Sequence, residues 1–200
     1  MSTLKTPRRL LVHSCCAPCC TVPLERLKDE YRMRVFFYGP NIHPREEYIR
    51  RLDAQRRLCD RVGVELVEGA YAPERWEQAV GPFEGQPESS HLPRCQACYR
   101  MRMQQTAEQA RSDGFDCFTT TLSVSRHKDS KVLAEIGALV GRDAGVTYLD
   151  VDFKKGGGFE LSVHRSRELD LYRQDYCGCR WSLQESRQRR EQRRKREMST

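Results

Sequence analysis

The sequence lacks any long apolar run. Its 200 residues contain no stretch near the roughly 20 uninterrupted apolar residues that a membrane-spanning helix requires. The apolar segment at residues 10–12 is too short for the core of a signal peptide and runs directly into a cysteine cluster. No internal repeat is evident either. We therefore expect a cytoplasmic protein without a membrane partner.

The composition is that of a highly charged globular protein. Apolar residues make up 38% of the chain and charged residues 32%, and the length suffices for one domain with a proper core. We expect a single domain over residues 1–184, with an irregular, Pro- and Gly-rich insert at about residues 69–93. Residues 187–197 alone contribute +5 to the net charge of +7. The tail at residues 185–200 therefore either holds a phosphate backbone or is a solvated helix end.

Strand-like and helix-like segments alternate along the chain. Short apolar or β-branched runs predict strands at residues 9–13, 33–38, 64–67, 116–122 and 147–151. Helical spacing predicts helices between them, including one that starts near residue 20 after the cysteine cluster. This alternation favours an α/β fold with a parallel, Rossmann-like sheet flanked by helices and a C-terminal helical segment. Ligands of such sheets bind beyond the carboxyl ends of the strands, so we expect the residues there to share one edge.

The ten cysteines are clustered rather than evenly spread. They include the patterns CCxxCC at residues 15–20, CxxC at 95–98 and CxC at 177–179. A disulfide framework is typical of small exported domains, and this chain is large enough to fold without one. Clustered thiols in a cytosolic protein instead indicate metal or redox chemistry.

Two of these clusters can supply a metal site. Cys95 and Cys98 fall in the first turn of a predicted helix, three residues apart on one face. Cys15 and Cys16 come just past a predicted strand, where adjacent side chains can converge. Four thiolates suit either tetrahedral zinc or a four-iron cluster. A CC pair at a strand end is unlike the paired knuckles of structural zinc, which favours a working cluster.

The CxC pattern suits redox chemistry. A disulfide between Cys177 and Cys179 closes a very small ring, so it would be strained and easy to reduce. The pair is therefore either a two-electron dithiol store or two further metal ligands. Cys59, on the apolar face of a helix, and Cys117, at the start of a strand, are predicted to be buried core thiols.

Polar and basic residues follow several predicted strands. Such residues at one edge of a sheet suit a phosphate or a nucleotide. Each such cluster alone is weak evidence for a binding site, because surface loops are commonly charged. The candidate substrate-binding residues are Asn41, His43, Arg126, His127, Lys128 and Arg167.

Five ordered stretches carry a resemblance to a known family. They are HSCCAPCC, FFYGPNIHPREEYIRR, RCQACYRMRM, TTTLSVSRHKD and FKKGGGFELSVHRSRELDLYRQDYCGC. With these motifs the chain resembles the epoxyqueuosine reductases of the QueH family. The resemblance implies an oxidoreductase of queuosine biosynthesis, which removes the epoxide oxygen of epoxyqueuosine in tRNA by a two-electron reduction. It also implies a [4Fe-4S] cluster, an electron donor that the sequence does not identify, and a nucleotide-hydrolase-like Rossmann fold.

The resemblance also implies roles for individual cysteines. The ligands of the cluster are Cys15, Cys16, Cys95 and Cys98. The redox-active pair, which cycles between dithiol and disulfide, is Cys177 and Cys179. An additional iron beside the cluster is implied, with Cys19, Cys179 and a nearby acidic group as candidates to hold it. Cys19 is thus a candidate catalytic residue, whereas Cys20 receives no role.

Two other functions compete with this interpretation. Cys16-Ala17-Pro18-Cys19, between a strand and a helix, resembles the active-site loop of thioredoxin-like thiol–disulfide oxidoreductases, but leaves the other clustered thiols unexplained. The second alternative is a zinc-bearing RNA-binding module without catalytic activity, built from the thiols and the basic tail.

Overall fold

The structure, a computed structural model, describes residues 7–198. Within this part of the chain, five parallel strands form one sheet in the order β3-β2-β1-β4-β5. The strands are β1 (Arg8–Ser14), β2 (Tyr31–Phe37), β3 (Glu65–Glu68), β4 (Cys117–Thr120) and β5 (Thr147–Tyr148). The predicted α/β fold with a parallel sheet is therefore confirmed.

Helices cover both faces of the sheet and extend the chain at its C-terminus. They are α1 (Ala17–Leu27), α2 (Arg45–Val62), α3 (Pro73–Val80), α4 (Pro93–Ser112), α5 (Ser130–Ala144), α6 (Gly158–Glu168) and α7 (Arg180–Glu197). Short 3₁₀ turns lie at Gly81–Phe83 and Thr121–Val124. No helix in this span is both long and apolar enough to cross a membrane.

Strand β1 is the centre of the fold because it pairs with both β2 and β4. Its residues Leu10, Leu11 and Val12 are fully buried. Leu11 packs into the larger core with residues of α4, whereas Leu10 and Val12 pack on the opposite face. Side chains alternate across a strand, so a strand covered on both faces reads as a continuous apolar run.

The first helix begins earlier than the spacing predicted. Cys16 is its N-cap and Ala17 its first residue, so Cys19 and Cys20 lie on the helix rather than in a loop. Pro18 explains the early start, because proline lacks an N–H and fits the first turn of a helix. Strands β4 and β5 are shorter than the segments predicted for them, and they end at Thr120 and Tyr148.

The strand order creates a crevice at one edge of the sheet. The chain moves outward from β1 through β2 to β3, then returns to the other side of β1 for β4 and β5. The carboxyl ends of β1 and β4 therefore flank the point where the winding direction changes, which is where such sheets bind ligands.

The predicted insert contains α3 and the 3₁₀ turn after it. Helix α7 runs through residue 184, and the domain boundary placed there stays a prediction.

Candidate active site

A cavity of 1530 Å³ opens at the carboxyl ends of β1 and β4. Its walls come from the ends of these strands, from the segment after β5 and from the segment before α7. The candidate site residues that line it are Cys15, Cys16, Cys19, Arg126, His127, Lys128 and Cys177. Residues far apart in sequence thus share the edge that the fold class predicted.

Four clustered thiols lie behind and beside this cavity. Cys15 and Cys16 follow β1, whereas Cys95 and Cys98 lie on the first turns of α4, after Pro93. All four are at least 92% buried. Cys15, Cys16 and Cys95 belong to one packed core cluster. Cys98 lies three residues after Cys95 on α4 and contributes to raising the pKa of Cys95. The structure therefore brings the two predicted pairs into one region.

The environment of these thiols opposes ionisation. Burial raises the pKa of both Cys95 and Cys98. A hydrogen bond with Cys16, together with burial, raises the pKa of Cys15. The same bond lowers the pKa of Cys16, but the hydrogen bond with Cys19 and burial outweigh it and raise that pKa to about 11. The thiols therefore hold their protons at neutral pH, and binding of a metal must displace them.

Arg102 places a buried positive charge close to a thiol of each pair, Cys15 and Cys98. It is fully buried on α4, and its Nε and Nη1 atoms have no hydrogen-bond partner. Burial lowers its pKa, but the thiols of Cys15, Cys98 and Cys177 outweigh this and raise it. A buried cation with two unpaired N–H groups is costly, so the site is suited to receive negative charge.

Two further buried arginines support the same region. Arg51 donates from Nε to Glu47 Oε1 at 2.7 Å, and from Nη1 and Nη2 to the carbonyl oxygens of Cys177 and Tyr176, each at 3.1 Å. It thereby fixes the segment that carries the CxC pair. Arg94, beside Cys95, has two unpaired buried Nη atoms. The site thus combines buried thiols with buried positive charge.

The CxC segment connects the cavity to the buried thiols. Gly178 has a φ of +130°, which favours glycine, and a Cβ there would lie 3.0 Å from Asn41 Nδ2. Cys177 lines the cavity, whereas Cys179 packs in one apolar cluster with Cys98 and Trp76. Cys179 is also the N-cap of α7. All ten cysteines are free thiols in the structure.

Lys128 contacts the thiol of Cys177. Its Nζ lies 3.5 Å from Cys177 Sγ and 3.8 Å from Glu88 Oε1, and its side chain is buried. Burial raises the pKa of Cys177 against the opposing effect of Lys128. Burial also lowers the pKa of Lys128, but Cys177, Tyr99 and Glu88 more than reverse this. The lysine therefore stays protonated beside a thiol at the cavity wall.

A buried histidine ties the strands together below the thiols. His13 Nε2 lies 3.0 Å from the Tyr38 carbonyl oxygen and Nδ1 lies 2.8 Å from Thr120 Oγ1. Because a carbonyl can only accept, Nε2 carries the proton and Nδ1 accepts from the hydroxyl. Burial and then Arg102 lower the pKa of His13. The neutral ring therefore fixes the positions of β1, β4 and the chain after β2.

The sequence prediction missed His13, Arg51 and Arg102. A signal for Arg102 was present, because it follows Cys95 and Cys98 at positions i+7 and i+4, on the same face of α4. Glu47 and Arg51 are likewise four residues apart on α2. Nothing in the sequence marks these arginines as buried, since arginine is usually a surface residue.

The other candidate residues differ in their placement. Asn41 is fully buried, and neither atom of its side-chain amide has a hydrogen-bond partner. His43 Nδ1 lies 3.1 Å from the backbone carbonyl oxygen of Asn41. Arg126 pairs with Glu160 at the cavity wall. Arg167 is exposed on α6 and does not line the cavity. Substrate binding by all these residues stays a prediction.

The remaining cysteines are core residues. Cys59 and Cys117 are each 1% exposed, which confirms the prediction for them. Cys20 and Cys59 pack in one cluster, on the side of α1 that faces α2. Cys20 therefore points away from the cavity.

The two competing functions find no support in this geometry. A thioredoxin-like nucleophile has a lowered thiol pKa, whereas that of Cys16 is raised. Among residues 7–198, no three His, Cys, Asp or Glu side chains lie close enough to share one metal ion.

Comparisons with known proteins agree with one another. A family model described as Epoxyqueuosine reductase QueH matches residues 10–185. The chain is 37% identical over 176 residues to Epoxyqueuosine reductase QueH of Streptococcus pyogenes serotype M1, covering 85% of this chain and 68% of that protein. It is 35% identical over 183 residues to the protein of that name from Thermotoga maritima, covering 90% of this chain and 93% of that one.

Solved structures share the fold, among them a predicted subunit of a tRNA methyltransferase. That protein comes from Methanocaldococcus jannaschii, and the match has a TM-score of 0.51 and 12% sequence identity. The match covers 80% of this chain and 75% of the other. At this identity the likeness concerns the α/β fold alone.

Proposed function

The chain belongs to the epoxyqueuosine reductase QueH family, and from this premise we propose that it reduces epoxyqueuosine in tRNA to queuosine. The observation that carries the proposal is a cavity lined by four thiols, those of Cys15, Cys16, Cys19 and Cys177, together with the buried cations Arg102 and Lys128. The reaction converts an epoxide to an alkene and water, which consumes two electrons and two protons. A site rich in thiols and buried charge is suited to such a reduction.

The residues present fit an iron–sulfur cluster. Cys15, Cys16, Cys95 and Cys98 would hold it, because they are buried thiols of the type and number that [4Fe-4S] clusters use. In such a cluster each thiolate would bind its own iron, so these four thiols would not need to meet at one ion. The unpaired Nε and Nη1 of Arg102 would offset the negative charge of the four thiolates. When bound, the cluster supplies electrons one at a time.

The CxC pair can supply two electrons together. Oxidation of the Cys177 and Cys179 thiols forms one disulfide bond and releases two electrons and two protons. The two C–O bonds of the epoxide break, the carbon–carbon double bond forms, and the oxygen leaves as water. The strained disulfide is then returned to the dithiol by an external electron donor. Cys177 is placed to meet substrate because it lines the cavity, whereas Cys179 lies behind it.

Residues around Cys177 would control protons and access. Lys128 holds a proton on Nζ, 3.5 Å from Cys177 Sγ, and lines the same cavity. It can stabilise the thiolate form and deliver a proton toward the departing oxygen. Arg51 holds the backbone of residues 176 and 177 from behind. These contacts keep the reactive thiol at the wall of the cavity.

The cavity suits a nucleotide that is still part of an RNA. Its 1530 Å³ exceeds the roughly 300–1,000 Å³ typical of small-molecule pockets. A modified base can enter only if it is turned out of the stack. Arg126 and His127 at the wall are candidates to contact it. Cys19 lines the cavity and has no other proposed role, whereas Cys179 does not line it. Of these two candidates for holding an additional iron, Cys19 is therefore the better placed.

The function is tested by anaerobic incubation with tRNA that carries epoxyqueuosine, followed by mass spectrometry of the nucleosides. The wild-type protein should produce queuosine over many turnovers when a reductant is present. Cys177→Ala should lower the turnover rate by on the order of a hundredfold or more, because the dithiol is lost. Cys117→Ala, at the opposite end of the sheet, is the matched control and should stay active. Unreduced epoxyqueuosine with the wild type overturns the proposal, and full turnover by Cys177→Ala removes the dithiol from it.

A further inference from the structure

Helix α7 is unlike the other helices in how little of it is covered. Of its 18 residues, only Ser182 and Ser186 are buried, and every residue from 187 to 197 is exposed. Ion pairs four residues apart support this projecting part, such as Arg193 with Glu197 and Lys195 with Glu191. This exposed part of the helix, residues 187–197, carries seven basic and two acidic residues. A basic helix with so many exposed side chains is suited to a partner of opposite charge.

The helix starts inside the site and leaves along its mouth. Its N-cap, Cys179, belongs to the CxC pair, and Glu185 and Arg189 line the cavity. Successive residues of a helix are about 100° apart, so Arg196 lies within about 20° of Arg189 around the axis. Arg189 and Arg196 therefore form a stripe that continues the cavity wall outward. The rise between them is about 10 Å.

We propose that this stripe of α7, Arg189 and Arg196, binds the phosphates of the RNA strand next to the nucleotide held in the cavity. The inference rests on the proposed function, because the RNA is the substrate. A base turned out into the cavity leaves its neighbouring phosphates at the mouth, where the stripe begins. Arginine suits this contact, because its guanidinium binds phosphate through two parallel hydrogen bonds.

The same helix offers a matched control. Arg187 and Arg194 are also seven residues apart and exposed, but they lie roughly 140–160° around the axis from Arg189. Neither lines the cavity. Substitution of either pair by glutamine removes the same charge from the same helix, and glutamine keeps a high helix propensity. The two double variants therefore remove equal charge from different sides of the helix, although Arg189 also pairs with Glu185 at 3.8 Å.

The test measures binding of an unmodified tRNA transcript by fluorescence anisotropy at several salt concentrations. Arg189→Gln/Arg196→Gln should weaken binding on the order of tenfold near 0.1 M salt, and should lower the slope of log K against log salt by about 1.4–1.8. Arg187→Gln/Arg194→Gln should change affinity less than about threefold. Arg189→Lys/Arg196→Lys keeps the charge and should restore most of the affinity, which shows that the loss is not due to misfolding.

Equal losses in both glutamine variants would overturn the proposal, as would no loss in either. Phosphatidylcholine vesicles containing phosphatidylserine provide the alternative anionic partner. The stripe would be assigned to a membrane surface instead if Arg189→Gln/Arg196→Gln abolished binding to these vesicles and left RNA binding unchanged. The binding result does not depend on catalysis. A wild-type protein that binds tRNA through the stripe but leaves epoxyqueuosine unreduced would therefore refute the proposed function and not the stripe.

Discussion

Removal of the Arg102 charge should have opposite effects on the metal-free and the metal-loaded protein. Arg102 is fully buried, and its Nε and Nη1 have no partner among the described residues. Methionine has similar length and nearly the same helix propensity, so Arg102→Met removes the charge without disturbing α4. In the metal-free protein this relieves an uncompensated cation. In the loaded protein it removes the charge that balances four thiolates.

The magnitude follows from the burial of the group. Each buried polar group without a partner costs about 1–3 kcal/mol. Replacement of buried ionic groups by apolar side chains of similar volume stabilises proteins by about 1–4 kcal/mol. We therefore expect the metal-free Arg102→Met protein to gain about 1–4 kcal/mol in free energy of unfolding. For a chain of this size that is a rise of several degrees in Tm. The same protein should retain less iron and sulfide per chain.

Urea unfolding under reducing conditions, with iron and sulfide analysis of anaerobically purified protein, measures both effects. Arg100→Met is the control, because Arg100 is exposed on the same helix. It should change the free energy of unfolding by less than about 0.5 kcal/mol and leave iron content unchanged. If metal-free Arg102→Met were less stable than wild type, or retained iron equally well, the role given to this charge would be wrong.

The other predictions concern pH and packing. The raised pKa of Cys16, about 11, means that the folded metal-free protein keeps a proton that the unfolded chain loses above pH 9. Its free energy of unfolding should therefore fall between pH 9 and 11, by up to about 1.4 kcal/mol per pH unit for this thiol. Cys16→Ser should show a smaller slope in urea titrations at these pH values, and an unchanged slope would contradict the prediction. At Gly158, a Cβ would overlap the Phe153 carbonyl oxygen, so Gly158→Ala should cost about 1–3 kcal/mol or more in thermal unfolding. Gly81→Ala meets nothing within 4 Å and should be nearly neutral; equal costs at both positions would refute the packing argument.

Much of the fold could be predicted because local patterns agreed with the tertiary structure. The apolar run at residues 10–12 lies in the first predicted strand, and β1 is that strand, fully buried at these residues. Helix α2 ends at Gly63, which caps it with a φ of +68°. The start of α1 was misplaced, because Pro18 was not treated as a first-turn residue. Strand β5 is short because its extent depends on pairing with β4, which no local pattern encodes.

The site was predictable where it depends on cysteine spacing and not where it depends on burial. The pairs Cys15/Cys16 and Cys95/Cys98 stand out in the sequence, and topology brings them together. Arg51 and Arg102 do not stand out, because only tertiary packing removes these charges from water. Cysteine spacing is visible in the sequence, whereas the burial of a charged side chain is set by the tertiary structure.

Nucleoside mass spectrometry of tRNA provides the most direct test of the reductase function. We predict that wild-type protein with its full complement of iron and sulfide, incubated anaerobically with a reductant, converts epoxyqueuosine in tRNA to queuosine in excess over enzyme, with loss of one oxygen atom. Epoxyqueuosine that persists unchanged in the presence of such iron-loaded protein would contradict the proposed function.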